Sequence, residues 1–303
     1  MRDMQILAVV VTHNRCRLLS RCLDNLLAQR RQPNQILVVN NASSDGTVEM
    51  LEQRDIHFIT QKNLGSAGGW HRGIQHALDH GFDAVWLMDD DGFPDAGALR
   101  LLEVALLPDI ACAASVVVRE DVPTHFVFPL PVLDASDMPV IWGRVRKLVS
   151  MTELRAASPD GTYPFAHFFN GSLVSMDAVR QVGNVDCNFF MNGDELDYLY
   201  RLRKAGKVIS VLDAIHYHPD QSLRPYTPVK VYYFVKNSLV LNTRYFNAVW
   251  LRHAMTVAVV ILRTASRNNI AAALSLVLGS NAPMFYSAII RGLKGKLGKD
   301  FNE

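Results

Sequence analysis

Ala84-Val85-Trp86-Leu87-Met88-Asp89-Asp90-Asp91-Gly92 is a five-residue apolar run that ends in three carboxylates and a glycine. A continuous apolar run of this length reads as a strand buried on both faces, the pattern of a parallel sheet covered by helices. It delivers the carboxylates to the strand's C-terminal end. Like charges this close repel, and hard carboxylate oxygens suit Mg²⁺ or Mn²⁺, ions that commonly share their shell with substrate phosphates. Capping of the next turn accounts for one carboxylate, not three. Alternate side chains of an extended run share a face, so Asp89 and Asp91 are expected to point one way. Asp90 then faces the other, toward a ribose or sugar. The run points to an enzyme acting on a metal-bound phosphorylated substrate.

Working outward, residues 6–11, 36–39 and 56–60 are further apolar, β-branched runs. Residues 15–29, 47–53 and 68–79 carry helical periodicity between them. This strand–helix alternation predicts an open, mostly parallel α/β sheet that binds ligands beyond the strands' C-terminal ends. Residues 119–165 are proline-rich and aperiodic. A strand at 170–175, a helix at 194–205 and a strand at 207–212 follow. From Pro225 on, apolar segments with interspersed arginines read as several helices. The expected division is a catalytic domain over 1–224 and a helical region over 225–303.

Composition bounds the function. The chain has 303 residues, 49% hydrophobic and 20% charged, with a net charge of +2. It is globular and large enough for a sizeable core, and it carries no footprint of nucleic-acid binding. The cysteines at 16, 22, 112 and 187 lack zinc-type spacing and fit a reduced, cytoplasmic protein. The N-terminus enters a strand at once, so no signal peptide is expected. No apolar run reaches the roughly 18–20 residues of a membrane span.

Polar motifs fall at the strand ends. Thr12-His13-Asn14-Arg15 ends the first strand, where Asn14 could equally cap a helix. Asn40-Asn41-Ala42-Ser43-Ser44-Asp45-Gly46 reads equally as a nucleoside contact or a βα turn. Asn63-Leu64-Gly65-Ser66-Ala67-Gly68-Gly69-Trp70-His71-Arg72-Gly73 reads as a glycine-rich loop opening a helix. Backbone N–H groups at Gly68 and Gly69 could approach phosphates there, with Arg72 paired to a diphosphate. Gly193-Asp194-Glu195-Leu196-Asp197 opens another helix. Acids there complement the helix dipole, which accounts well for Asp194. Glu195 is the candidate general base. One imidazole of His216-Tyr217-His218 could complete a metal shell.

These motifs, in this order, resemble family 2 glycosyltransferases of the GT-A fold. The matching stretches are VVVTHNR (9–15), VVNNASSDGT (38–47), NLGSAGGWHRG (63–73), WLMDDDG (86–92), FNGSLVS (169–175), GDELDYLYRLRKAG (193–206) and LDAIHYHP (212–219). Together they span about two thirds of the chain. NLGSAGGW and WLMDDDG, followed by FNG and GDE, look like bacterial galactofuranosyltransferases that start a galactan on a lipid-linked acceptor. Rhamnosyltransferases are a second relative class.

The resemblance implies a Rossmann-like sheet with flanking helices plus a C-terminal helical region. It implies a Mn²⁺ or Mg²⁺ ion on Asp89, Asp91 and His218, and a base at Glu195 or its neighbour Asp194. Thr12, Asn14, Arg15, Asn41, Asp45, Asn63, Gly68, Gly69, Arg72 and Asp90 fall to the nucleotide-sugar. For the acceptor, the candidates are Trp142, Phe169, Asn170 and Asp197, with Phe168 as a further stacking ring. The expected reaction is inverting transfer from a UDP-sugar, UDP-galactofuranose, to a glycan or lipid-linked glycan hydroxyl. The alternatives are dTDP-rhamnose as donor, in O-antigen or cell-wall synthesis, and a non-catalytic nucleotide-sugar-binding subunit. The arginine-studded apolar C-terminal region suits a helical platform on the cytoplasmic face of the inner membrane, or a partner subunit in an oligomer.

Overall fold

A computed structural model of the chain describes residues 3–221 and 224–301. The first part alternates as expected: β1 (Ile6–Thr12), α1 (Cys16–Leu27), β2 (Gln35–Asn40), α2 (Thr47–Gln53), β3 (His57–Thr60), α3 (Gly65–Asp79) and β4 (Ala84–Asp89). All seven residues of β1 are buried, as a strand covered on both faces requires. Helix α1 turns Leu19, Cys22, Leu23 and Leu26 inward at three- and four-residue spacing.

The middle is more regular than its composition suggests. It comprises β5 (Phe93–Pro94), α4 (Ala98–Ala105), β6 (Ile110–Arg119), β7 (His125–Pro131), β8 (Lys147–Ser150), α5 (Met151–Ala157) and β9 (Thr162–Tyr163). Next come β10 (Asn170–Ser175), α6 (Met176–Val182), a 3-10 turn at Cys187–Phe189, α7 (Asp194–Leu202) and β11 (Lys207–His218). Pro129 and Pro131 fall in β7 and Pro139 in an isolated bridge, all off the main path of the sheet, where a missing N–H is tolerated.

The main sheet runs β3-β2-β1-β4-β10-β6-β11-β5. Strands β3, β2, β1 and β4 are mutually parallel, and β6 is parallel to β11, while β10 lies antiparallel between β4 and β6. The sheet is therefore mixed. Strand β11 runs past the expected end at Leu212 to His218, slipping register against β6 between Val211 and Ile215. Its side chains alternate in burial throughout, which carries His216 and His218 inward. Asp213 breaks the apolar run in sequence but pairs at the surface with Arg155.

Two compact units emerge. One holds the residues up to Val185 with Tyr198–Asp220, and the other holds Asp186–Asp197 with the chain from Gln221 on. The second unit is built on α8 (Pro228–Tyr245), α9 (Val249–Arg267), α10 (Ile270–Val277) and α11 (Ala282–Leu293). Val231, Tyr232, Val235, Leu239, Val260, Leu276, Phe285 and Ala288 form its core. The Lys236 ammonium, 0% exposed, meets Asp300 and the Gly298 carbonyl, pinning the tail onto α8.

Candidate active site

Strands β1 and β4 end side by side, with Thr12 and Asp90 linked by a 2.7 Å hydrogen bond from the Thr12 hydroxyl to Asp90 Oδ2. Arg15 Nη1 donates to Asp90 Oδ1 at 2.9 Å and to Asp91 Oδ2 at 3.0 Å. Arg21 Nη2 caps the Asp91 carbonyl at 3.0 Å. The buried carboxylates thus have a cation of their own. Burial raises the Asp90 carboxyl above its usual range, and Asp91 adds to this, while Arg15 and Thr12 pull against it. Arg15 is raised in turn: Asp90 and Asp91 outweigh the opposing effect of its burial.

Asp91 and His218 meet across the same end. His218 Nε2 lies 3.0 Å from Asp91 Oδ1, with the two side chains 1% and 2% exposed. The other imidazole nitrogen, Nδ1, lies 2.7 Å from the Pro219 carbonyl, which can only accept, so Nδ1 carries a proton. His216 is not part of this contact. It is 0% exposed, and neither of its nitrogens has a hydrogen-bond partner. A Cβ on Gly92 would sit 2.3 Å from its Nε2, and one on Gly171 would sit 3.1 Å from its Nδ1. Burial, reinforced by His218 and opposed by Asp91, pushes the His216 imidazole down to about 3.

Most of the other expected nucleotide contacts brace loops. Asn14 Oδ1 accepts from Ser44 N–H at 2.8 Å. Asp45 Oδ2 accepts from Cys16 N–H at 2.8 Å, capping α1 from the neighbouring loop. For Asp45, bonds from Cys16 and Thr47 outweigh desolvation and hold its carboxyl below the usual range. Asn41 donates to the Gly65 carbonyl and accepts from Gln61. Asn63 Oδ1 accepts from Gly65 N–H, at the start of α3.

The glycine-rich stretch is a correction. Helix α3 begins at Gly65, so Gly68 and Gly69 lie within it and not in a loop. A Cβ on Gly69 would meet Val11 Cγ1 at 2.4 Å, and one on Gly73 would meet Val9 Cγ1 at 2.3 Å. These glycines let α3 press onto β1, and their N–H groups belong to the helix ladder, not to a phosphate. Arg72 is exposed and lies seven residues into α3, about 10 Å along its axis. Its charge is felt by His76, one turn further on. Arg15, not Arg72, is the cation beside the carboxylates.

Two of the three aromatic acceptor candidates, Phe168 and Phe169, are buried. The Phe169 ring stacks on Trp70 at 4.3 Å and 5° and is 5% exposed, so it serves the core. Phe168 is 0% exposed, whereas Trp142 is 77% exposed on the surface. Asn170 is 6% exposed, and its Oδ1 is buried without a partner; the residue before it accepts from Asp89 N–H at 2.7 Å.

In the second unit, Asp194 and Asp197 are buried and Glu195 is half-buried at the start of α7. Asp197 is not left for an acceptor: Tyr245 donates to it at 2.7 Å and Arg244 at 3.1 Å. Arg244, Tyr245 and Asn237, all on α8, were not singled out in the sequence. The one signal was the polar pair Lys236-Asn237 between the apolar runs 231–235 and 239–241.

The profile of the glycosyl transferase family 2 matches residues 7–167, more than half of the chain, from the second residue of β1 through β4 and beyond. This protein belongs to glycosyl transferase family 2. A galactofuranosyltransferase of Mycolicibacterium smegmatis is 34% identical over 220 residues, 71% of this chain and 70% of that protein. A galactofuranosyltransferase of Mycobacterium tuberculosis is 36% identical over 223 residues, with the same coverage of each chain. Among solved structures, a mannosyltransferase of Pyrobaculum calidifontis, in complex with GDP-Man and Mn²⁺, aligns with a TM-score of 0.54 at 16% identity. The alignment covers 95% of this chain and 80% of that one, which establishes the GT-A fold.

Does this glycosyltransferase have donors for a divalent ion? Among the described residues no three His, Cys, Asp or Glu side chains form a ready metal cage, so Asp89, Asp91 and His218 are not gathered as one. Two of them fit. With Nδ1 held by the Pro219 carbonyl, His218 presents Nε2 to Asp91 Oδ1, and an ion bound there would be ligated by both. A ligating imidazole is held in this way, by a carbonyl on its far nitrogen. Oxygen and imidazole donors suit Mn²⁺.

Proposed function

We propose that this glycosyltransferase moves galactofuranose from UDP-galactofuranose to a hydroxyl of a galactoside, with inversion. The observation that carries the reading is the buried Asp91–His218 pair, with His218 anchored by Pro219 at the end of β11. The similarity to galactofuranosyltransferases over 71% of the chain supports the sugar.

Asp91 and His218 would hold the ion, with Asp89 nearby at the end of β4. When bound, Mn²⁺ or Mg²⁺ supplies Lewis-acid neutralisation of the departing UDP diphosphate. Arg15 and Thr12 hold Asp90 in one orientation toward the donor. Glu195 takes the proton of the acceptor hydroxyl, whose oxygen bonds to the anomeric carbon as the bond from that carbon to UDP breaks. Glu195 is the half-buried acid of its turn, whereas Asp194 and Asp197 are buried. A single displacement needs no enzyme nucleophile.

The acceptor is carried on a membrane lipid, and α9 to α11 rest on that membrane. Trp250, Leu262, Ile270, Leu274 and Leu278 are 76%, 68%, 72%, 56% and 82% exposed. Residues 249–293 contain arginines at 252, 263, 267 and 291 and no acid. Apolar side chains rimmed by cations suit an anionic lipid surface. No single described helix is long and apolar enough to cross a membrane, although α10 and α11, bent by 60°, pass that test together by length and composition.

The experiment is a donor and acceptor panel. UDP-galactofuranose, dTDP-rhamnose and other UDP-sugars are incubated with Mn²⁺ and galactoside acceptors, and the new linkage is located. Turnover of UDP-galactofuranose with an inverted anomeric centre is expected. Turnover of dTDP-rhamnose alone would replace the proposed donor.

A further inference from the structure

The segment ahead of the α7 acids has an unusual backbone. Phe190, Asn192 and Gly193 take φ values of 60°, 59° and 98°. Non-glycine residues held in that region cost about 1–3 kcal/mol each and persist only where the surroundings over-determine them. Among the surroundings here, one side chain makes the hydrogen bonds. Asn237 of α8 is 0% exposed, and its Nδ2 lies 3.0 Å from the Phe189 carbonyl, 3.0 Å from Met191 and 2.7 Å from Asn192. Two amide hydrogens thus serve three carbonyls of a single turn. The same residue closes the site sterically: a Cβ on Gly193 would come within 3.1 Å of Asn237 Cβ and 3.0 Å of Phe189 Cδ1.

The arrangement carries a cost that packing alone does not explain. Asn237 Oδ1 is buried with no hydrogen-bond partner. A leucine at this place would avoid that penalty, and would lose the clamp. Helix α8 also grips the far side of the acid turn, where Arg244 and Tyr245 hold Asp197. The four residues between the two grips include Asp194 and Glu195.

We infer that Asn237 is a positioning residue for transfer: its amide fixes the 189–192 turn, and so the direction in which Glu195 leaves the chain. This rests on the proposed reading of Glu195 as general base. Asp91 and His218 belong to the other unit, so binding of the UDP diphosphate does not depend on the clamp.

The test compares Asn237→Asp, which places a carboxylate against three carbonyls, with Asn237→Leu, which removes the polar group. Both are assayed in the full chain for kcat, KM, UDP affinity and melting temperature. A misplacement of about 1 Å can cost 10²-fold in rate, so kcat is expected to fall about 10–100-fold. KM for UDP-galactofuranose and UDP affinity stay within about twofold, while Asn237→Leu, which leaves three carbonyls without their donor, melts lower than wild type. In a Glu195→Ala background Asn237→Leu adds no further loss, since both act through one group. Gly193→Ala, which disturbs the turn from its own side, gives the same kcat-selective loss if Asn237→Asp fails to fold. Wild-type kcat in Asn237→Leu, or a loss that multiplies with that of Glu195→Ala, overturns the inference. Wild-type transfer by Glu195→Ala instead removes the base reading on which it rests.

Discussion

His218 Nε2 lies 3.0 Å from Asp91 Oδ1, and neither side chain is more than 2% exposed. Replacing Asp91 by Asn keeps the shape and removes the charge. Losing even an outer-shell partner of a metal costs about 10–100-fold, so Asp91→Asn is expected to lose at least about 100-fold in transfer. Titration of UDP with and without Mn²⁺ checks this: wild type binds UDP more tightly with the ion, and the variant does not. Equal metal dependence in both proteins would remove Asp91 from the ligand set.

Arg15 is now the cation that two buried carboxylates share. Arg15→Gln leaves them uncompensated, at a cost of about 1–3 kcal/mol. A bound divalent ion restores positive charge at the same place. Melting with and without Mn²⁺ is therefore expected to show a lower midpoint for Arg15→Gln and a larger upward shift on adding the ion than in wild type.

His216 gives the pH dependence. Its imidazole is buried neutral, with the ordinary value of 6.5 pushed down to about 3. Its contribution to stability is whole above pH 6.5 and is lost as the pH falls toward 3, because the unfolded chain binds the proton first. Each unit below 6.5 is worth about 1.4 kcal/mol. Between about pH 7.5 and 4.5, wild type should lose about 2–3 kcal/mol more than His216→Leu in urea unfolding. Parallel losses in the two proteins would contradict this origin.

Gly69 separates packing from phosphate binding. A methyl group there meets Val11 at 2.4 Å, and overpacking costs about 1–3 kcal/mol, against about 1 kcal/mol gained from helix propensity. Gly69→Ala should be destabilised, and Val11→Ala in the same chain should recover much of the loss. UDP affinity should not change. A selective loss of UDP affinity would return Gly69 to the donor site.

The exposed apolar residues of α9 to α11 are tested by sedimentation with vesicles. Leu262→Glu with Leu278→Glu should cut binding to vesicles containing anionic lipid, and should leave turnover of a short soluble acceptor unchanged. Pelleting equal to wild type would place those residues away from the bilayer.

The strands of the parallel half were legible because each is buried on both faces and so reads as an unbroken apolar run, as in residues 6–11 and 84–88. Position in the sheet was not. Nothing local to residues 170–175 marks them as the antiparallel strand that separates β4 from β6. The stretch from Asn63 was expected to open the helix as a glycine-rich loop because glycine is a poor helix former, and close packing of Gly69 on Val11 and Gly73 on Val9 overrides that preference. The metal-side residues were found through the order of motifs, and Asp91 and His218 do meet. Which aromatic rings and acids are spent internally depends on partners distant in sequence, such as Trp70 for Phe169 and Tyr245 for Asp197.

The insertion of β10 also bears on how the protein is made. Strand β4 is flanked by β1 on one edge and by β10 on the other. During synthesis the acid-bearing strand exists with one bare edge of unpaired backbone N–H and C=O groups until residue 175 has left the ribosome. Bare edges of this kind recruit other chains. Expression halted or cleaved between residues 92 and 170 should therefore yield aggregated material, and the second half of the sheet acts as the nascent chain's own shield.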